Sequence, residues 1–196
     1  MAKGIATKDN IIQAAFDFTG RFGLESLSIG ELAKLVGMSK SGLFGHFNSK
    51  EALQMKVLEF AAQSFIRSVV RPSLKASRGQ ARIFALATNW QKWASSKLAG
   101  GCPIIAATVE YDDRPGKIRD YLQLLQGEMM NTFSKAAKIA IEEGEFKKDL
   151  DTEQFAYEFY ANMMAYHVFT RLLRDRTAKQ KFQVTLDHLI ERSTVN

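Results

Sequence analysis

At 196 residues, with 46% hydrophobic and 24% charged residues, the chain has the make-up of a globular protein of one domain or two small ones, which excludes a disordered or fibrous chain. The net charge of +6 fits a polyanionic partner. Only +2 of it lies in residues 1–50, where Lys3, Lys8, Arg21, Lys34, Lys40 and Lys50 face Asp9, Asp17, Glu25 and Glu31. The single cysteine, Cys102, excludes an internal disulfide and suits a reducing compartment. With no secretory leader and no run of about 18 apolar residues, the expected location is the cytoplasm.

The first helix is expected over about Thr7–Phe22, where Ile11, Ala15, Phe18 and Phe22 recur on one helical face and Gly20 and Gly23 mark the end. Ser28-Ile29-Gly30-Glu31 has the spacing of a capping box, in which the serine takes an early amide and the glutamate reaches back to the serine's own. The second helix starts there, burying Ile29, Leu32, Leu35 and Val36, and stops at Gly37. Ser39 caps a third helix with Leu43 and Phe47 facing inward. Asn48 and Glu51 repeat the capping spacing, so a fourth helix begins near Ser49. It carries Leu53, Val57, Phe60, Ala61, Ser64 and Phe65 and reaches about Val70.

A loop is expected over Arg71–Gly79, then a helix over Gln80–Lys97 with Ile83, Phe84, Ala87, Trp90 and Ala94 clustered. Gly100-Gly101-Cys102-Pro103 breaks it, and Pro103 suits the first turn of a short helix ending at Tyr111. After the turn Asp112–Gly116, a long helix runs from Lys117 to Glu143 with a seam of Ile118, Leu122, Leu125, Met129, Thr132, Ala136 and Ala140, ending at Gly144. Asp151-Thr152-Glu153-Gln154 opens a helix to about Asp175. Thr177 starts the last one, with Phe182, Leu186, Leu189 and Ile190 on one side. No strand pattern occurs. The expected fold is all-α with about nine helices, an N-terminal three-helix bundle with a helix-turn-helix feeding a larger C-terminal helical bundle.

Two helices this short are marginal alone, at under roughly 12–15 residues. Held against the first helix through Leu32, Val36, Leu43 and Phe47, they match a helix-turn-helix. The outward face of the third helix is then Lys40, Ser41, Phe44 and Gly45, with no acid. Gly42 and Gly45 each cost a helix interior roughly 1 kcal/mol against alanine. Such a helix suits close approach of another backbone, and a DNA groove supplies one. The amide ends of this helix, behind Ser39, and of the next, beside Lys50, suit phosphates.

Residues 8–53 resemble the DNA-binding domain of TetR-family bacterial transcriptional regulators. The resemblance rests on Ile11, Ala15, Phe18, Phe22, Gly23, Ser28, Leu32-Ala33, Gly37-Met38-Ser39, Leu43, His46-Phe47, Lys50-Glu51 and Leu53. It implies that Ser28, Phe44, His46 and Lys50 touch phosphates and that Lys40, Ser41 and Gly42 read bases. Phe44 departs from the family's usual tyrosine and has no hydroxyl for a phosphate, so its contact is apolar, to a sugar or a thymine methyl. Val36, where alanine is frequent, is a smaller departure. With Lys40 the only long polar reader, part of the specificity falls to DNA shape. The segment Gly100–Asp120 resembles one found in a subset of the family.

The resemblance also implies a homodimer on an inverted-repeat operator, since two recognition helices bind half-sites about one helical turn apart. The last two helices are its expected interface, through Tyr160, Met164, Phe182, Leu186 and Leu189. A small-molecule effector pocket is implied among Phe60, Trp90, Trp93, Met129, Phe133, Phe159, Met163 and His167, whose methionine and aromatic side chains suit a hydrophobic or planar compound. The division is a helix-turn-helix domain at 1–48 and a ligand-binding and dimerisation domain at 49–196.

Plainer roles stand beside these. His167 reads as a core histidine, His188 as exposed, Cys102 as a small buried residue, and Glu110, Asp112 and Asp113 as a solvated loop. No zinc-helix spacing, P-loop, dinucleotide fingerprint or Gly-x-Ser-x-Gly elbow occurs, so no enzyme, cofactor or metal is expected. The competing class is an all-α small-molecule carrier or adaptor without DNA binding.

Overall fold

A computed structural model describes residues 8–95 and 101–195. Thr7, Lys97 and Gly100, which figured in the expected boundaries, lie outside the described residues. The chain forms α1 (Lys8–Phe22), α2 (Ile29–Val36), α3 (Lys40–Phe47), α4 (Lys50–Phe65), α5 (Gln80–Ser95), α6 (Pro103–Tyr111), α7 (Lys117–Glu142), α8 (Thr152–Arg171) and α9 (Ala178–Ser193). Among the described residues no strand forms, and extended backbone pairs only in an isolated antiparallel bridge between Phe146 and Thr194.

α4 does not stop at Val70. It widens into a π-helical stretch, Ile66–Val70, and closes with one more turn, Arg71–Ser73. The Arg71 N–H reaches back five residues to the Ile66 carbonyl. A proline ring clashes with the carbonyl four residues before it, and the wider turn relieves this, so Pro72 is carried within the helix and the loop begins later than expected. At the other end the cap is Ser49, whose Oγ accepts the Ala52 N–H at 3.0 Å. Asn48, at φ 58, instead terminates α3. α8 ends at Arg171, short of the expected Asp175. Asp175 organises the next helix start, its Oδ1 accepting the Thr177 N–H and hydroxyl, each at 2.7 Å.

The described residues divide into two compact units, 8–64 with 101–122 and 65–95 with 123–195. In the first, α1 buries Ile11, Ile12, Ala15, Phe16 and Thr19. Phe18 is half-buried and Phe22 is 62% exposed, contrary to the expected stripe, and the two rings pack on each other at 4.8 Å. α2 buries Leu32 and Ala33, and Ile29 and Val36 are half-buried. Leu35, expected inside, is exposed because it lies about 110° round the helix from the centre of that face, at roughly 100° per residue. Leu24, Leu27, Leu43, Phe47, Leu53, Val57, Leu58 and Ala61 are also buried in this unit, as are Ile104, Ile105, Ala107 and Ile118.

The second unit is built on aromatic packing. Trp90, Tyr166 and Phe182 form a triangle with centroids 5.5, 5.6 and 5.3 Å apart. Phe133 meets Phe159 at 4.4 Å, and Phe146 meets Phe155 at 5.5 Å. α8 and α9 pack together, and the buried Asn162 Nδ2 donates to the Phe182 carbonyl at 2.9 Å.

Candidate nucleic-acid interface

The helix-turn-helix is made by its caps. Ser28 Oγ accepts the Glu31 N–H at 3.1 Å, while the Glu31 carboxylate pairs with Lys34 at 2.7 Å rather than reaching back, so half of the expected capping box forms. Gly37, at φ 68, takes the left-handed conformation that turns the chain, a geometry costly for a residue with a Cβ. Ser39 Oγ then accepts the Gly42 N–H at 3.1 Å.

α3 is anchored by Leu43 and Phe47, both buried, and presents Lys40, Ser41, Gly42, Phe44, Gly45 and His46 to solvent, with Phe44 54% exposed. A Cβ added at Gly42 would lie 3.1 Å from its own cap, Ser39 Oγ, whereas one added at Gly45 would meet nothing within 4 Å. The Lys40 side chain lies back over α2, its Cε 3.4 Å from where a Gly30 Cβ would stand.

Lys50, at the start of α4, is not free. Its Nζ donates to Glu25 Oε1 at 2.6 Å. Glu25 Oε2 accepts the Tyr111 hydroxyl at 2.6 Å, and the Arg114 guanidinium lies 3.4 Å from it. Gln54 Nε2 donates both to the Leu24 carbonyl at 2.8 Å and to the Tyr111 oxygen at 2.9 Å. Glu110 accepts the backbone N–H groups of Leu24 at 2.7 Å and Glu25 at 2.9 Å. Hydrogen bonds from Lys50 and then Tyr111 hold the Glu25 carboxyl below its ordinary range. Burial, then the Glu25 carboxylate, pushes the Tyr111 phenol well above its own. Glu25, Lys50, Gln54, Tyr111 and Arg114 border an open cleft of about 280 Å³. Glu110, expected in a solvated loop, is therefore half-buried in α6 and fastens that helix to the α1–α2 turn. Asp112 and Asp113 are exposed. Nothing in the local pattern links residue 25 to residues 110–114, so this network leaves no mark in the sequence.

Trp90, Trp93, Met129, Phe133, Phe159 and Met163 are all buried in the second unit, and the Trp90 indole N–H has no partner there. His167 is half-buried, and burial, with Arg171 adding, lowers its pKa. Phe60 belongs to the first unit and packs edge-on against Phe16 at 5.2 Å. Cys102 is buried and His188 is exposed.

Three residues expected at a dimer interface, Phe182, Leu186 and Leu189, are consumed in the chain's own core, at 3%, 2% and 4% exposure, so they offer no surface to a partner. Tyr160 and Met164 are half-buried. What α8 turns outward is a different stripe, Tyr157, Ala161, Ala165 and Val168, continued by Leu172 just past its end. Its spacings of four, four, three and four keep it on one face.

Among the described residues no helix is long and apolar enough to cross a membrane, and no group of three or more His, Cys, Asp or Glu is placed to hold a metal ion.

Residues 11–54 match the family described as bacterial regulatory proteins, tetR family, and residues 79–186 match the tetracyclin repressor-like C-terminal domain. The HTH-type transcriptional regulator RutR of Escherichia coli is 33% identical over a match covering 37% of this chain, which spans only 42% of RutR's length. A TetR transcriptional regulator from Chloroflexus aurantiacus superposes with a TM-score of 0.84 at 23% identity, covering 97% of this chain and 96% of its own. AibR, solved with isovaleryl coenzyme A and operator DNA, gives a TM-score of 0.74 at 18% identity, covering 94% of this chain and 98% of its own. These two structures share the fold, and the family matches, one of which alone covers more than half of the chain, carry the assignment: the chain belongs to the TetR family of bacterial regulatory proteins.

Proposed function

We propose that the protein is a cytoplasmic, sequence-specific DNA-binding transcriptional regulator, a repressor released from a pseudo-palindromic operator by a small hydrophobic or aromatic ligand. The observation that carries this reading is α3 itself. It is an acid-free helix standing on Leu43 and Phe47 with every other residue from Lys40 to His46 open to solvent. Ser28, Ser39, His46 and Lys50 contact phosphates, Lys40, Ser41 and Gly42 read base edges, Phe44 meets a sugar or thymine methyl, and Gly45 lets the duplex come close. Residues 1–48 form the reading domain, and 49–196 bind ligand and dimerise. Two copies join through the outward faces of α8 and α9. AibR, solved with both an acyl-coenzyme A and operator DNA, supports a ligand-responsive switch of this kind.

The test is an electrophoretic shift with the DNA upstream of the protein's own gene. A regulator forms a salt-sensitive specific complex, and an all-α carrier or adaptor forms none. Lys40→Ala should relax sequence preference. Lys50→Ala should weaken binding to all duplexes alike and flatten the salt dependence by about one unit. Equal effects from both would contradict the roles assigned.

A further inference from the structure

The lysine assigned to a phosphate already has an anion. Lys50 Nζ sits 2.6 Å from Glu25 Oε1, and both side chains remain about two-fifths exposed, at 41% and 42%, so the pair forms where a phosphate could compete for it. Glu25 cannot swing away easily. Its second oxygen takes the Tyr111 hydroxyl, Arg114 flanks that oxygen, and its own backbone N–H is held by Glu110. A fixed carboxylate and a phosphate offer an ammonium the same kind of acceptor oxygen. Lys40, by contrast, has no ion pair among the described residues.

We infer that Glu25 is an intramolecular stand-in for DNA phosphate: a positioning residue that holds Lys50 in the free protein, must be displaced when DNA binds, and so restrains affinity for every duplex regardless of sequence. The inference rests on the DNA-binding reading above. Tyr111 and Arg114 keep the competing carboxylate in place, so the end of α6 sets how firmly Lys50 is held.

The test is fluorescence anisotropy at fixed low ionic strength with two labelled duplexes, the protein's own upstream DNA and a scrambled sequence of equal length. Wild type is compared with Glu25→Gln, Lys50→Ala, the double variant, and Glu31→Gln as a control for removing an acid from the same domain. Glu25→Gln should bind both duplexes about two- to five-fold tighter, the range expected for freeing one partner of an exposed ion pair. Glu31→Gln should change binding by less than about two-fold, since its partner, Lys34, has no assigned contact. In the Lys50→Ala background the Glu25→Gln gain should vanish. Should Glu25→Gln not fold by circular dichroism, Glu25→Asp draws the carboxylate back by one methylene while keeping its charge, and carries the same expectation. Unchanged or weaker binding, or an equal gain without Lys50, overturns the inference while leaving DNA binding intact. Failure of wild type to bind either duplex overturns the DNA-binding reading and this inference with it.

Discussion

Replacing Glu110 by alanine strips two carboxylate acceptors from the α1–α2 turn at once, the one receiving Leu24 N–H at 2.7 Å and the one receiving Glu25 N–H at 2.9 Å. A hydrogen bond to a charged group contributes about 1.5–3 kcal/mol when its loss leaves the partner stranded. Glu110 is only half-buried, so water satisfies part of what is lost, and about 1 kcal/mol per bond is the better figure. The expected cost is therefore about 2 kcal/mol, which displaces a urea midpoint by about 1 M at a typical slope. Glu110→Gln keeps one carbonyl oxygen and should lose about half as much. Urea titration followed by far-UV circular dichroism reads the whole chain. Both tryptophans, Trp90 and Trp93, lie in the second unit, so their fluorescence reports on that unit separately. A Glu110→Ala midpoint corresponding to less than about 0.5 kcal/mol would refute the reasoning, since the bonds would then do no more for the turn than water does.

Other outcomes follow from the second unit. Trp90→Ala should cost about 3–5 kcal/mol, because a fully buried ring in contact with Tyr166 and Phe182 leaves a cavity, and Trp90→Phe should cost less than half of that by urea titration. Asp175 is held at about 2, below its ordinary 3.8, by the Lys181 ammonium first and then by the Thr177 hydroxyl and amide. A carboxyl depressed in the folded state stabilises the fold above about pH 3.8, and that contribution is lost as pH falls toward 2. In an NMR titration Lys181→Ala should raise the Asp175 midpoint, and an unmoved midpoint would count against the pair. Ala165→Glu, on the exposed stripe of α8, should convert a dimer to a monomer in sedimentation without loss of helicity. A wild type already monomeric at micromolar concentration would end that reading.

How much of this could be read from the residues depended on the range of the physics involved. Caps and stops act within a turn, so Ser28, Gly37, Ser39, the Pro103–Tyr111 helix and the Asp151 cap were legible position by position. Periodicity says which side chains share a face but not what lies against it. Phe22 and Leu35 therefore looked internal, and on α8, apolar on more than one face, Ala161 and Ala165 were passed over while Phe182 and Leu189 on its neighbour were assigned outward. The loop expected from Arg71 was placed too early because the π-helical turn that tolerates Pro72 has no signature of its own. The Glu25–Tyr111 bond joins residues 86 apart, a separation no local rule spans.

Gly45 carries a consequence for engineering. Since the space beside its Cα is open, alanine there should cause no clash within the chain and should stiffen a two-turn helix by roughly 1 kcal/mol. The folded chain alone thus supplies no reason for the missing methyl. A Gly45→Ala protein that melts later yet grips duplex less well would locate that reason in the docked molecule, and would separate thermal robustness from recognition at a single atom.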